Sequence, residues 1–402
     1  MEKVKLVRWP RLVIGSVTLM FAGIIYAWSI LKAPFEGIWD SGQLGFNYTV
    51  TIIFFCLGGL LSGFITKKTS SGFRLAVSGL LIFAGFFITS RLDGGSVVPL
   101  YLSYGVLAGT GVGFSYNTVL GVTNAWFPDK KGMSAGVLLM GFGLNSLIIG
   151  RLADSMGRSA SIGWEKTYLI LAIACGAVIL LASLFIKPPP DGTLFPEPKA
   201  AKKAQPSGGE GDYAGLKMVK RPSFIKLFIF ITLLSSAGSA ANSFARDIVM
   251  DVGASAGFAV TLVGIMAVSN AFGRFVVGWL FDGIGRRRTQ YVVGAAGVAA
   301  PLMIMLSFLT GSLAFGAVGV CLCGFTYGAG STTASVFVMT FFGQKNYALN
   351  FSIFNLVLII SPFAATMAGR LKDSTGSFLT PFIILTVLGL VGLAADLSIK
   401  KA

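Results

Sequence analysis

Arg274 is the only charged residue in the middle of any long apolar segment of this sequence. Its guanidinium presents N–H donors in a planar fork that matches a carboxylate. Placing an arginine at the centre of a lipid-embedded helix costs about 3 kcal/mol on insertion scales, and no Asp or Glu lies at the centre of another apolar segment. A bound anion would supply the missing negative charge. Two alternatives stay open, in which Arg274 extends to lipid headgroups or bonds helix carbonyl groups.

Asn270 precedes Arg274 by four residues, so the two side chains share one face of a helix. We expect the amide to orient the guanidinium or to bind the same anion; the alternative is a hydrogen bond between helices. The chain has no histidine, and its four cysteines lie inside apolar segments. Histidine catalysis and histidine-bound metals are therefore excluded. We expect no catalytic residue, no metal and no cofactor, in a protein that is not an enzyme.

The composition indicates the kind of element that holds these residues. Of the 402 residues, 54% are hydrophobic and only 12% are charged, and the mean hydropathy is +0.79. Soluble globular proteins carry about 25% charged residues. This composition excludes a disordered chain, a coiled coil and almost any soluble enzyme, and it predicts a polytopic membrane protein.

Twelve segments are long and apolar enough to span a bilayer, which takes about 20 residues in a helix. They are continuous rather than alternating, so helices and not a barrel are expected. We predict an all-α membrane protein with twelve transmembrane helices, at residues 11–33, 47–66, 74–91, 97–125, 133–152, 166–186, 223–245, 258–281, 290–310, 313–341, 348–369 and 379–398.

Lysines and arginines are distributed unevenly over the loops between these spans. If both termini are cytoplasmic, 23 of the 32 lie on the cytoplasmic side and 8 on the outer side. Because positive residues favour the cytoplasmic side, we predict a multi-pass protein of the cell inner (plasma) membrane with both termini in the cytoplasm. Insertion and attraction to anionic lipid account for the net charge of +16, so no nucleic acid partner is expected.

The segment 188–222 is rich in proline, glycine and charged residues and has no apolar period. Such a composition is typical of a linker. It divides the chain into a predicted N-terminal six-helix bundle at residues 1–187 and a C-terminal six-helix bundle at residues 223–402, joined by a cytoplasmic linker.

The two halves repeat one another in sequence. Residues 150–157 read GRLADSMG, and residues 369–376, 219 positions later, read GRLKDSTG. Gly63, which precedes a basic loop, lies 215 positions before Gly278, which does the same. A nearly constant shift indicates duplicated halves, an organisation typical of secondary transporters.

Residues 278–288 read GWLFDGIGRRR, a near-complete copy of the G-x-L-x-D-x-x-G-R-[KR]-x loop signature of the major facilitator superfamily. The chain resembles that family over all twelve spans. The resemblance implies two pseudo-repeated bundles that rock about a central substrate site. It also implies that Asp282 and Arg286 form a charge cluster at a helix end that holds one conformation. The alternative is a loop that is basic only because it is cytoplasmic.

Four shorter segments resemble the oxalate/formate antiporter and monocarboxylate transporter branch of that family. They are residues 26–29 (YAWS), 124–128 (NAWFP), 270–274 (NAFGR) and 342–346 (FGQKN). Oxalate carriers have a lysine in the eleventh helix, at the position that aligns with Leu358. Animal monocarboxylate carriers have an aspartate where this chain has Asn270. The resemblance therefore implies a monocarboxylate rather than oxalate and leaves the coupling ion open.

In that family the first, fourth, seventh and tenth helices line the substrate cavity. Polar and aromatic groups on those helices are the candidates to bind a substrate beside Arg274 and Asn270; packing and bonds between helices are the alternatives. The candidates are Tyr116 and Asn117 in the fourth helix, Tyr327 in the tenth and Trp28 at the end of the first.

Together these features predict a secondary active transporter of small organic anions, with lactate-like or formate-like monocarboxylates as substrates. Its partners would be the anion, a co-transported proton or an exchanged anion, and the lipid bilayer, and we expect a monomer. One alternative is a proton-coupled drug or sugar carrier of the same fold, which would need an acid inside the membrane. The other is a sensor that binds anions without transporting them, which would need a structured cytoplasmic output domain.

Overall fold

The computed structural model describes residues 2–39, 41–190, 192–195, 213 and 215–399. Within those ranges the secondary structure is helical, apart from an isolated bridge between Glu36 and Trp39. The main helices of the twelve predicted spans are α1 (Glu2–Ala22), α2 (Ser41–Ile65), α3 (Ser71–Thr89), α4 (Gly109–Asn124), α5 (Lys131–Asn145), α6 (Gly163–Phe185), α7 (Pro222–Met250), α8 (Ala256–Ile284), α9 (Arg286–Thr310), α10 (Leu313–Phe342), α11 (Phe363–Thr375) and α12 (Leu379–Leu397).

Four of these helices are extended by shorter helical segments. Gly23–Ala27, Trp28–Leu31 and Ala33–Phe35 follow α1, Val98–Leu100 and Tyr101–Ala108 precede α4, Ser146–Gly150 and Arg151–Gly157 follow α5, and Tyr347–Phe354 and Val357–Ile360 precede α11.

Of the twelve predicted spans, the fourth has no single helix long enough to count as a candidate membrane span. Eleven helices of the described chain are long and apolar enough to cross a membrane. In the fourth span a π-helix, Tyr101–Ala108, separates Val98–Leu100 from α4. A Cβ added to Gly85 of α3 would lie 2.6 Å from the carbonyl oxygen of Ser103. Close packing of α3 on this backbone accompanies the π-helix, and the three pieces together cover the predicted span.

Large apolar side chains cover the outer faces of the helices. Phe64, Leu184, Trp279 and Phe363 are each more than 60% exposed. A soluble protein rarely exposes so many large apolar groups, whereas lipid tails solvate them in a bilayer. The chain is therefore an all-α, multi-pass membrane protein.

The chain packs as two compact units. Unit 1 contains Met1–Asp129, Gly141–Glu197 and Tyr347–Asn355, and unit 2 contains Lys130–Met140, Pro198–Asn346 and Leu356–Ala402. The units depart from the covalent halves in two short segments, Lys130–Met140 and Tyr347–Asn355. The division of the chain at residues 187 and 223 stays a prediction, and most of the predicted linker lies outside the described residues.

In unit 1 the segment Tyr347–Phe354 packs on α2. A Cβ on Gly63 of α2 would lie 2.9 Å from the Cα of Leu349, so a side chain at this position would collide with backbone. The hydroxyl of Ser352 donates to the carbonyl oxygen of Gly59 at 2.8 Å. We call this contact the unit 1 crossing.

In unit 2 the first residues of α5 pack on α8 in a similar way. A Cβ on Gly132 would overlap the carbonyl oxygen of Gly278, and a Cβ on Gly278 would overlap that of Gly132. One turn further along α5, a Cβ on Gly136 would lie 2.8 Å from the carbonyl oxygen of Arg274. We call this contact the unit 2 crossing, and it brings the backbone of α5 against the residue with the buried charge.

Candidate substrate site

Arg274 lies in the interior of α8, well away from both ends of the helix. The helix begins after Ser255, whose hydroxyl accepts the N–H of Phe258 at 3.3 Å, as expected of an N-cap. The Arg274 residue is 5% exposed. A long apolar helix with a good cap thus holds a guanidinium away from solvent.

Two neutral oxygens accept hydrogen bonds from the Arg274 guanidinium. Nε donates to Oδ1 of Asn270 at 3.2 Å, and Nη1 donates to the carbonyl oxygen of Leu139 in α5 at 2.8 Å. The four-residue spacing on α8 places Asn270 beside the guanidinium, and the Leu139 contact crosses from α8 to α5. One of the alternatives from the sequence, a bond to a helix carbonyl, is therefore present.

Among the residues that the structure describes, no acid balances the charge of Arg274. No described carboxylate forms an ion pair with it; the observed pairs join other residues, as in Arg8 with Asp129 and Lys372 with Asp251. A buried cation that contacts only dipoles retains its attraction for an anion. The guanidinium is therefore the strongest anion-binding group buried in the described part of unit 2.

Tyr327 of α10 joins Arg274 and Asn270 in unit 2. It is half-buried and belongs to the same unit as Arg274. Its neighbour Gly328 packs so closely on α8 that an added Cβ would overlap the carbonyl oxygen of Asn270. On the same helix, the Thr332 hydroxyl donates to the carbonyl oxygen of Arg274 at 3.0 Å. Helix α10 thus fixes the part of α8 that carries the candidate site.

Asn117 lies in unit 1, where its amide takes part in the unit 1 crossing. The residue is 1% exposed. Its Nδ2 donates to the carbonyl oxygens of Ala348 at 2.7 Å and Gly59 at 3.2 Å, and it also contacts the hydroxyl of Ser352. These bonds occupy the amide donors in holding α4, α2 and the segment Tyr347–Phe354 together. A role for Asn117 in substrate binding stays a prediction.

Tyr116 and Trp28 lie in two aromatic clusters of unit 1. The ring of Tyr116 packs on Phe142, with centroids 4.7 Å apart, and on Phe55 and Phe351. Trp28 packs on Tyr104 at 4.6 Å, and its Nε1 donates to the carbonyl oxygen of Leu44 at 3.1 Å. Both residues are 4% exposed. They have the environment of packed core residues, and their contact with a substrate also stays a prediction.

Asp282 and Arg286 flank the end of α8, where the loop signature places them. The Asp282 carboxylate accepts the N–H groups of Gly132 at 3.0 Å and Met133 at 2.7 Å, so it lies at the positive N-terminal end of α5. The Arg286 guanidinium lies over the ring of Phe341, 4.4 Å from its centroid. The structure brings Asp282 to the unit 2 crossing and Arg286 to α10.

Three groups that contact the candidate residues were not expected from the sequence. They are the carbonyl group of Leu139, the hydroxyl of Thr332 and the hydroxyl of Ser352. A backbone carbonyl has no sequence signature, and hydroxyl residues are common in apolar helices. The one sequence feature that could indicate close packing of α5 is the pair of glycines at 132 and 136, whose four-residue spacing places small residues on one face of that helix.

Twelve apolar helices in a duplicated order, with glycine-mediated helix crossings, define a polytopic transporter of the membrane. The model of the Major Facilitator Superfamily matches residues 11–366, and the chain belongs to that family. It is a transporter of small molecules and not an enzyme.

Curated relatives support the narrower branch. The chain is 28% identical over 360 residues to an uncharacterized MFS-type transporter, YhjX, of Escherichia coli, covering 87% of this chain and 84% of that protein. It is 27% identical over 354 residues to the oxalate:formate antiporter of Oxalobacter formigenes, covering 85% and 80%. It is 23% identical over 402 residues to human monocarboxylate transporter 12, covering 92% and 75%.

A solved structure supports the fold independently. The chain superimposes on the fucose:proton symporter FucP of Escherichia coli with a TM-score of 0.72, covering 98% of this chain and 100% of that one at 16% identity. The similarity shows a common fold. The predicted major facilitator architecture of twelve helices is therefore confirmed.

Proposed function

We propose that this protein is a secondary active transporter of small organic anions, and of monocarboxylates such as formate or lactate in particular. The observation that carries the proposal is the state of Arg274, which is buried and, among the described residues, donates hydrogen bonds to neutral oxygens and forms no ion pair. A carboxylate would supply the negative charge and accept two N–H groups from the guanidinium. Asn270 and Tyr327 would complete the site from α8 and α10.

The number of cations favours one carboxylate over two. No lysine or arginine occurs between Lys345 and Arg370, so the segment before α11 and the start of α11 offer no second cation for a dicarboxylate. Two of the relatives are named as an oxalate:formate antiporter and a monocarboxylate transporter. The first name includes formate beside the dicarboxylate oxalate, the second names monocarboxylates, and formate is the smallest candidate with one carboxylate.

The neutral side chain of Asn270, beside Arg274, indicates how transport could be coupled to protons or to a second anion. At Asn270 an amide occupies the position from which an acid would exchange protons with the site. A proton moved with the substrate would therefore travel on the substrate or on water, and exchange of one anion for another is the alternative. Uptake driven by an imposed pH gradient or by internal anion separates these two modes.

The loop signature is proposed to stabilise one conformation through α5. Asp282 accepts two N–H groups at the first turn of that helix, where the helix dipole favours a negative charge. Arg286 packs on α10 through Phe341. We place the protein in the inner (plasma) membrane with both termini in the cytoplasm, because the basic loops then lie on the side that positive residues favour.

The test is uptake of labelled formate, lactate and oxalate into proteoliposomes. The variants are Arg274→Ala, Arg274→Lys and, as a control that removes a positive charge elsewhere, Arg91→Gln on the exposed turn after α3. We expect formate or lactate uptake in wild type and in Arg91→Gln. Loss of one partner of a buried charge pair costs about 2 kcal/mol or more, so Arg274→Ala should reduce uptake about 30-fold or more. Normal transport by a folded Arg274→Ala protein would assign the arginine a structural role.

A further inference from the structure

In the other half of the chain, Cys56 of α2 makes a bond like the one that Arg274 makes to Leu139. By the shift that relates the two halves, Arg274 aligns with Gly59, and Cys56 lies about one helical turn before Gly59. The Cys56 thiol donates to the carbonyl oxygen of Asn355 at 3.6 Å, and Arg274 Nη1 donates to that of Leu139 at 2.8 Å. Nearly the same shift relates Leu139 to Asn355. Each side chain thus binds the equivalent carbonyl of the segment that packs on its own helix.

A second pair of bonds repeats in the same register. Asn117 of α4 donates to the carbonyl oxygen of Gly59 at 3.2 Å, and Thr332 of α10 donates to that of Arg274 at 3.0 Å. A single shift relates the two donors to each other and the two acceptors to each other. The unit 1 crossing and the unit 2 crossing are therefore two copies of one arrangement.

The two copies differ in charge. The unit 1 crossing is held by the Cys56 thiol, the Asn117 amide and the Ser352 hydroxyl, which are neutral. The bond from α8 to α5 in the unit 2 crossing comes from a guanidinium. A carboxylate can form two parallel hydrogen bonds and an ion pair with a guanidinium, whereas a thiol, an amide or a hydroxyl offers it no opposite charge. An anion can therefore displace the Arg274 bond of the unit 2 crossing but not the neutral bonds of the unit 1 crossing.

Release of Arg274 would leave no buried group without a partner. Leu139 lies within α5, so its carbonyl oxygen also accepts the helical N–H from four residues further along. Losing the guanidinium removes its second bond only, and the guanidinium gains a stronger acceptor in exchange. No buried group in this bond thus loses its last partner when substrate binds and α5 separates from α8.

The geometry points to a bound anion that opens the unit 2 crossing by taking the Arg274 guanidinium from the carbonyl group of Leu139. This inference rests on the proposed function and adds a second task for the same residue. Without substrate, Arg274 holds α5 on α8; with substrate, it lets α5 separate. Because Gly136 packs directly on the backbone of Arg274, the bond acts within the close crossing of the two helices.

The accessibility of a single cysteine on α5 tests this inference. Ala135 is fully buried and shares one face of α5 with Gly132 and Leu139, which lie three residues before it and four residues after it. The reporter is Ala135→Cys in a background that retains a hydroxyl donor at position 56. The background substitutions are Cys56→Ser, Cys175→Ala, Cys321→Ala and Cys323→Ala. The rate of maleimide labelling is measured with and without formate, and the Tm of each sample reports whether formate binds.

We expect formate to raise the labelling rate of the reporter about tenfold, the effect of losing one hydrogen bond to a charged group. Adding Arg274→Ala should give fast labelling without formate and no further response. Adding Arg274→Lys, which retains the charge, should give slow labelling that formate still accelerates. The matched control replaces Cys56→Ser by Cys56→Ala, which removes the neutral donor of the unit 1 crossing. In that protein the acceleration by formate should persist.

Three outcomes would overturn the inference, and they are distinguishable. If formate raises the Tm in an Arg274-dependent way but leaves the labelling rate unchanged, the anion binds and does not open the crossing. If formate and lactate leave the Tm unchanged while Arg274→Ala still labels fast, Arg274 holds the crossing but no carboxylate releases it, and the proposed substrate class fails as well. Slow labelling of a monodisperse Arg274→Ala protein would show that the bond to Leu139 does not hold α5.

Discussion

The chemistry of the candidate site comes from the contrast between the positive charge of Arg274 and the neutral groups that it contacts. The sequence predicts a buried cation and an amide on the same helical face, and the observed bond between Arg274 and Asn270 follows from that spacing. The bond to Leu139 could not be predicted, because a main-chain acceptor looks the same at every position. The family resemblance predicts that Trp28 and Asn117 line a cavity, whereas their N–H groups bind other residues of unit 1. Residue type alone does not distinguish a ligand from a bond between helices.

The neutrality of Asn270 can be tested at the scale of the residue. Asn270→Asp would place a carboxylate at the atom that accepts the Nε hydrogen bond of Arg274, 3.2 Å away in the native protein. An internal carboxylate competes with the substrate, so we expect formate uptake to fall about tenfold or more at neutral pH. An inward proton gradient should restore part of the uptake, because protonation removes the competing charge. Asn270→Ser stays neutral, so it should cost less than Asn270→Asp: it weakens one hydrogen bond of the guanidinium but adds no competing charge.

Uptake into proteoliposomes at two external pH values measures both effects. If Asn270→Asp transports formate as well as wild type does, without dependence on pH, the charge at Arg274 is not what the substrate recognises.

At the scale of the helix, glycine determines how closely α5 and α8 approach. The sequence shows Gly132 and Gly278 as small residues before basic loops, but not that they contact each other. In an apolar span every face is hydrophobic, so hydropathy marks the span and not its packed side. Phe272 is exposed while Arg274, two residues later, is buried. The packed face follows from the glycine spacing, and only the structure shows which helix it meets.

Two glycines of α8 make a matched pair for mutation. Gly278→Ala would add a Cβ that overlaps the carbonyl oxygen of Gly132, whereas Gly264→Ala would add one with nothing within 4 Å. We expect Gly278→Ala to lower stability by about 2 kcal/mol through overpacking. We expect Gly264→Ala to be neutral or stabilising by up to about 1 kcal/mol, because alanine favours helix. Thermal unfolding in detergent measures both, and equal Tm values for the two variants would contradict the close crossing.

At the scale of the whole molecule, the composition and the sequence repeat predict most of the architecture. Twelve spans, the membrane location and the family all follow from hydropathy, the basic loops and residues 278–288, and the family match confirms the family and its fold. The exchange of Lys130–Met140 and Tyr347–Asn355 between units could not be predicted. Those segments lie inside continuous apolar spans, and their packing depends on contacts distant in sequence. The repeat nevertheless relates the two exchanged segments, since Leu139 and Asn355 occupy nearly equivalent positions in the two halves.

The most direct measurement is equilibrium binding of formate and of formamide, its neutral counterpart, to the purified protein by calorimetry. If Arg274 recognises the negative charge of a carboxylate, wild type should bind formate and give no signal with formamide, and Arg274→Gln should bind neither. The Arg91→Gln control should match wild type. Equal formate affinity in wild type and in Arg274→Gln would contradict the account, because the anion would then be bound without the one cation buried at the centre of a span.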